Sequence, residues 1–213
     1  MIRNPLDANP NNTTIKIRAA RLFSDVFSPP SAFAIFGFIL AWSKMPFWRG
    51  SLHAVIFGSL SSLLPLGYIL VRLKKGEIND VHLGTANDRK IPYILGVIGA
   101  VIAYGILRMM GTSVYFLNYT LINIIGLALL GIINNRWLIS AHTSTITAIA
   151  TYSGFAFSLN VALALTPLVV LTILIRYYLK RHTINELASG VLIGFSSVLV
   201  LFVCGMFDGF KTG

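Results

Sequence analysis

The chain has 213 residues, of which 55% are hydrophobic and only 11% charged, and it carries a net charge of +10. Soluble domains carry about 25% charged residues, so this composition excludes an ordinary soluble fold and predicts an all-α, polytopic transmembrane helix bundle. The positive charges sit at the ends of apolar runs, where they point to anionic headgroups or phosphates rather than to nucleic acid.

Residues 1–26 are polar and basic, with Asn4, Asp7, Asn11, Lys16, Arg18 and Arg21, and are read as a cytoplasmic or interfacial N-terminal segment. Within it, residues 14–27 suit either an amphipathic helix lying on the membrane or a basic flank that orients the first span. No cleavable signal peptide is expected, because the first apolar run begins near Ser31. A single transmembrane domain is predicted over 27–213. A helical span needs about 20 apolar residues, and seven such runs follow in order.

Span one covers 32–47, or starts near Phe27 with Pro29 and Pro30 in its first turn, where a missing amide hydrogen matters least. Span two covers 54–71, and a polar loop follows over 72–90. The remaining spans are 92–110, 117–133, the Ser- and Thr-rich 141–159, then 161–178 and 187–207. Six spans is the alternative, since the fifth and sixth runs are joined by almost no loop.

Seven spans place the N-terminus and the loops 72–90, 134–140 and 179–185 on one side. That side collects Arg3, Lys16, Arg18, Arg21, Arg72, Lys74, Lys75, Arg89, Lys90, Arg136, Arg176, Lys180 and Arg181, or 13 of the 17 Lys and Arg. The positive-inside rule makes it cytoplasmic, in a multi-pass protein expected in the cell membrane. The lone cysteine, Cys204, lies in an apolar run and forms no intrachain disulfide.

Three polar clusters fall on this same side, and ionisable groups at membrane depth are usually functional. The first holds Asp80, His82 and Arg89, with Asp80 expected to orient His82 or to pair with Arg89. The second, Arg136, Ser140, Ala141 and His142, opens span five, where unpaired helix amides favour an anion. Ser140 adds a hydroxyl there and His142 a proton donor, or else Ser140 is simply a helix cap. In the third, His182 and Glu186 are four residues apart and share a helical face. A carboxylate beside an imidazole holds one ring nitrogen as a donor and leaves the other to attack. Arg176, six residues earlier, has the fork geometry that grips phosphate oxygens. Few and scattered carboxylates offer no metal set, and no cofactor motif is present.

The order and spacing of these clusters resemble the type 2 phosphatidate phosphatase superfamily of membrane lipid phosphatases and vanadium haloperoxidases. That family carries Lys-x6-Arg-Pro, Pro-Ser-Gly-His and Ser-Arg-x5-His-x3-Asp. Here they stand as His82-x6-Arg89 with Pro92 after it, Ile139-Ser140-Ala141-His142, and Ile175-Arg176-x5-His182-x3-Glu186. The family Lys is replaced by His82, which grips phosphate only when protonated, and the family Asp by Glu186. The resemblance implies metal-independent hydrolysis of a lipid phosphate or isoprenyl diphosphate. His182 is then the nucleophile, Glu186 its orienting carboxylate and His142 the proton donor. Arg89, Arg176, Ser140, Ala141 and His82 hold the phosphoryl oxygens. A phosphotransferase on the same frame and a non-catalytic lipid-phosphate binder or transporter are the alternatives. Tail class and oligomeric state stay open.

Overall fold

The computed structural model describes residues 5–7, 14–78, 80–81 and 83–207. Hydroxyl residues and prolines set its helix starts. Pro29 and Pro30 occupy the first turn of α2 (Pro29–Lys44), which follows α1 (Ile15–Val26) after a 55° bend. Thr85 caps α5 (Ala86–Met109) by accepting a hydrogen bond from the Asp88 amide. Ser140, Ser158 and Thr183 cap α7 (Ala141–Ala156), α8 (Leu159–Tyr178) and α9 (Ile184–Val203) in the same way. Helix α6 (Val114–Ile133) follows α5 after a short turn.

The second apolar run is one 28-residue rod, Phe47–Lys74. It consists of α3 (Phe47–Gly58), a π turn (Ser59–Leu63) and α4 (Leu64–Lys74). Pro65 lacks an amide hydrogen and its ring crowds the carbonyl one turn earlier, so a wider turn just ahead of it relieves the clash.

Five helices are long and apolar enough to cross a membrane, and six if the bent α1–α2 pair is one span. The architecture is the expected all-helical multi-pass bundle, but the predicted seven spans reduce to these five or six. The main difference is α7, which has only 16 residues. It is buried along nearly its whole length, including His142, Thr143, Ser144, Thr147 and Ser153. Enclosed by other helices, it presents no long apolar face to lipid, and its hydroxyl side chains face protein. The outer surface is apolar instead, with Ile94, Ile98, Leu163, Leu174 and Phe202 exposed.

Helices α7 and α9 approach each other across two glycines. A Cβ on Gly190 would lie 2.0 Å from Thr143 Oγ1, and one on Gly194 would lie 2.2 Å from the Ser144 carbonyl oxygen. Two of the three Gly194 neighbours, the Ser144 carbonyl oxygen and the Ala148 amide nitrogen, are backbone atoms that cannot swing away. Gly194→Ala should therefore destabilise the bundle by about 1–3 kcal/mol or prevent its assembly. Gly105→Ala, which meets nothing within 4 Å, should be neutral or slightly stabilising. Thermal unfolding of the two variants in detergent checks this pair.

Alternating helix directions give the bundle two distinct ends. At one, Arg49 donates to the carbonyls of Met110 and Gly111 at 2.9 and 2.7 Å, and His53 Nδ1 meets Thr112 Oγ1 at 2.6 Å. The other end holds Arg89, Ser140, His142, Arg176, His182 and Glu186. Between them, buried Tyr119 ties α6 to α2 through a 2.6 Å bond from its hydroxyl to the Phe33 carbonyl.

Candidate functional site

The corner between α8 and α9 is built by local backbone chemistry. Arg176 and Thr172 are the only described residues of α8 that are buried. Beyond the helix end, the Lys180 amide bonds the Tyr177 carbonyl at 2.9 Å and the Arg181 amide bonds the Arg176 carbonyl at 3.1 Å. This paired closure is a Schellman turn, and it puts Lys180 at φ +56°, a conformation that glycine adopts more cheaply. The turn reverses the chain within four residues, so Arg176 and His182 meet at one end of the bundle.

Thr183 and Glu186 then form a capping box at the start of α9. Glu186 Oε2 accepts the Thr183 amide at 3.1 Å and also meets His182 Nδ1 at 3.2 Å. One carboxylate oxygen thus starts the helix and orients the imidazole. An ionised carboxylate only accepts, so Nδ1 carries the hydrogen and Nε2 keeps its lone pair. Burial is the main influence on His182 and lowers its pKa to about 4. Arg89 and Arg176 push the same way, against the hydrogen bond and charge of Glu186. The ring is therefore neutral at pH 7.

This shift has a measurable sign. An exposed imidazole in the unfolded chain protonates near pH 6.5, whereas His182 in the fold does so near 4. Its contribution to stability is present above pH 6.5 and is lost as the pH falls through about 4. Wild-type protein in detergent should lose thermal stability between pH 7 and pH 4.5 more steeply than His182→Asn. Equal slopes would mean that the imidazole is not held neutral.

Arg89, at the start of α5, is anchored from two sides. Its Nε donates to the Leu83 carbonyl at 2.7 Å, and its Nη1 to the Ile139 carbonyl at 3.1 Å and to Asn134 Oδ1 at 3.4 Å. Leu83 sits at φ +52°, a strained conformation for a branched side chain, and that conformation aims its carbonyl at Arg89. Asn134 also accepts the Ile139 amide at 2.9 Å, so one side chain fixes both Arg89 and the approach to α7. Ser140 is fully buried, and its hydroxyl accepts the Thr143 amide at 3.4 Å. It caps the helix and is not among the residues that line the cavity described next. His142 Nε2 lies 3.1 Å from the Ser24 carbonyl at the end of α1. A carbonyl only accepts, so Nε2 bears the hydrogen.

Arg181 is bound elsewhere. Its Nε meets Asp7 Oδ1 at 2.7 Å and its Nη1 pairs with Asp80. Burial works against its charge, but the bonds and charges of Asp7 and Asp80 outweigh this and raise its pKa. Asp80 thus pairs with Arg181, whereas Arg89 bonds to Leu83, Ile139 and Asn134. The expected contact of Asp80 with His82 lies outside the described residues. The clamp ties Asp7 and Asp80 to the end of α8.

Arg89, Ala141, His142, Arg176 and His182 all line one cavity of about 320 Å³. Arg176 is 1% exposed, and its Nε and Nη1 find no hydrogen-bond partner among the described residues. Below these groups the lining turns apolar, with Phe33 from α2, Pro65, Leu66 and Ile69 from α4, and Leu127 from α6. Helix α4 packs on α5 and the π turn and has no buried residue of its own. The cavity is thus a cleft between α2 and α4, charged at one end and greasy at the other. Of the expected residues, Glu186 and Ser140 stand behind the lining, Arg136 is exposed, and His82 lies outside the described residues.

No protein-family model matches the chain, and no curated protein or solved structure matches it.

The site's chemistry rests on its own groups. Two buried guanidiniums supply fixed positive charge, one neutral imidazole has a lone pair, and a second presents an N–H. Among the described residues no three His, Cys, Asp or Glu side chains gather where they could hold a metal ion. Sequence reasoning missed Ser24, Asn134 and the clamp on Arg181. The Thr183-x-x-Glu186 capping box was a legible signal, whereas Asn134 and the Ser24 carbonyl carry none.

Proposed function

We propose that the chain is a membrane-integral lipid phosphate phosphatase that works through a phosphohistidine, in line with its motif resemblance to the type 2 phosphatidate phosphatases. The observation that carries this reading is the two-part cleft, which joins Arg89, Arg176, His142 and His182 to an apolar trough between α2 and α4. The guanidiniums hold the phosphoryl oxygens while the lipid chain lies in the trough. His182 Nε2 attacks phosphorus, and the bond from phosphorus to the lipid oxygen breaks. His142, entering the cycle as an imidazolium, gives its Nε2 proton, now directed at the Ser24 carbonyl, to the departing oxygen and is left neutral. Water then attacks phosphorus, His142 takes its proton, and the nitrogen–phosphorus bond breaks to release phosphate. The cations at this end take the place of a metal, and their charge favours a cytoplasmic face.

The test is inorganic phosphate release from a panel of lipid monophosphates and diphosphates by detergent-solubilised protein, with and without a chelator. Release that survives the chelator and labels the protein with phosphate is the expected result. Tight lipid-phosphate binding without release from any substrate would overturn the reading in favour of a binding protein.

A further inference from the structure

We infer that the cleft holds a second, uncharged polar subsite, formed by Asn123, Ser61 and Ser62, which accepts a hydrogen-bond donor carried by the lipid below its phosphate. This deepens the proposed function and rests on it for the orientation of the lipid.

Asn123 lies in the middle of α6, eleven residues from Asn134, or ~16 Å along the axis. Asn134 stands at the level of Arg89, which it contacts. Asn123 therefore sits deep in the apolar part of the bundle. It is 3% exposed, it lines the cleft, and its Oδ1 finds no hydrogen-bond partner among the described residues. A buried amide oxygen without a partner costs about 1–3 kcal/mol, and at membrane depth such a group is a functional signal by default.

Packing does not account for it. Asn118, one turn and a residue earlier on α6, also has an orphan Oδ1, but its amide ties the helix to the Met206 carbonyl at 2.8 Å, and it does not line the cleft. Ser61 and Ser62 lie in the π turn, and both line the cleft while being 5% and 3% exposed. The Ser61 hydroxyl donates to the Phe57 carbonyl at 2.7 Å, which leaves its oxygen as an acceptor. Single π turns inside helices recur at functional sites, and this one places two hydroxyls on the cleft wall. The subsite is thus richest in acceptors, and what fits it is a hydroxyl or amide N–H. A simple alkyl or prenyl chain has neither and would leave Asn123 unsatisfied.

The purified full-length protein is tested in detergent with dodecyl phosphate, with dodecyl phosphates hydroxylated at successive chain positions, and with lysophosphatidate, whose hydroxyl is on the glycerol backbone. The hydroxylated probe that reaches the subsite should exceed plain dodecyl phosphate about tenfold in kcat/KM. The position of the best hydroxyl tells a backbone donor from a chain donor. Asn123→Leu should remove that preference or invert it. Ser62→Ala, a milder change, should reduce it several-fold and covers the case in which Asn123→Leu does not fold. No preference in wild type, or one that survives in both variants, overturns the subsite. Lipid affinity is measured beside turnover. If the protein binds without hydrolysing, the same ratios of Kd test the subsite, and only the phosphatase reading falls.

Discussion

His182→Ala should lower phosphate release from a lipid phosphate by at least about 10³-fold, the scale of losing a covalent nucleophile. It should also abolish radiolabelling of the protein by phosphate-labelled substrate. Neighbouring features make the effect specific. Glu186 fixes which ring nitrogen is the donor through the 3.2 Å contact at Nδ1, and burial keeps the ring neutral at pH 7. Lipid-phosphate affinity should survive, because the charge that binds the anion comes from Arg89 and Arg176. His142→Ala should act at a different step. Loss of its proton costs about 10²–10⁴-fold, with the phosphorylated protein still detectable after long incubation. Turnover by His182→Ala at the wild-type rate would remove the nucleophile from the scheme.

Arg176→Leu should separate activity from stability. The guanidinium is 1% exposed, and two of its nitrogens have no hydrogen-bond partner among the described residues. It is kept charged in a buried place without the bonds that normally compensate. Substituting an apolar side chain of similar bulk for a buried charge is often stabilising, by about 1–4 kcal/mol. The thermal midpoint of Arg176→Leu in detergent should therefore rise. Activity should fall by about 10²–10³-fold, the usual loss when one fixed donor to a developing charge is removed. Arg181→Leu supplies the contrast. It strips the partner from Asp7, which is 7% exposed, and should destabilise the protein by about 3–5 kcal/mol. A lower midpoint for Arg176→Leu would mean that Arg176 holds the fold together rather than awaiting an anion.

Much of this end of the bundle was legible in the chain. The four-residue spacing of His182 and Glu186 pointed to a contact, and they do touch. His182 precedes the Thr183 cap, however, so the capping carboxylate, not a shared helical face, makes the contact. Alternation of apolar runs brought residues from three distant segments to one end. Those inferences worked because helix capping and the reversal of direction at each loop act over short stretches and carry through the chain unchanged. Ser140 shows the limit. Both a phosphate ligand and a helix cap were written into Ser-Ala-His-Thr, and the 3.4 Å bond to the Thr143 amide makes it the cap.

The sequence by itself determined an all-helical chain able to cross a membrane, with Arg89, His142, Arg176 and His182 at one pole, because hydropathy and helical spacing are local quantities. Tertiary structure alone decided which guanidinium is paired within the fold. Arg181 meets Asp7, 174 positions away, while Arg176 Nε and Nη1 have no hydrogen-bond partner among the described residues. It also decided that a hydroxyl-rich helix too short for a span is enclosed at the centre, and that α2 and α4 part to leave a cleft with Asn123 on its wall. Such outcomes depend on which side chains of remote segments compete for the same buried charges and volume, and no window along the chain contains both competitors.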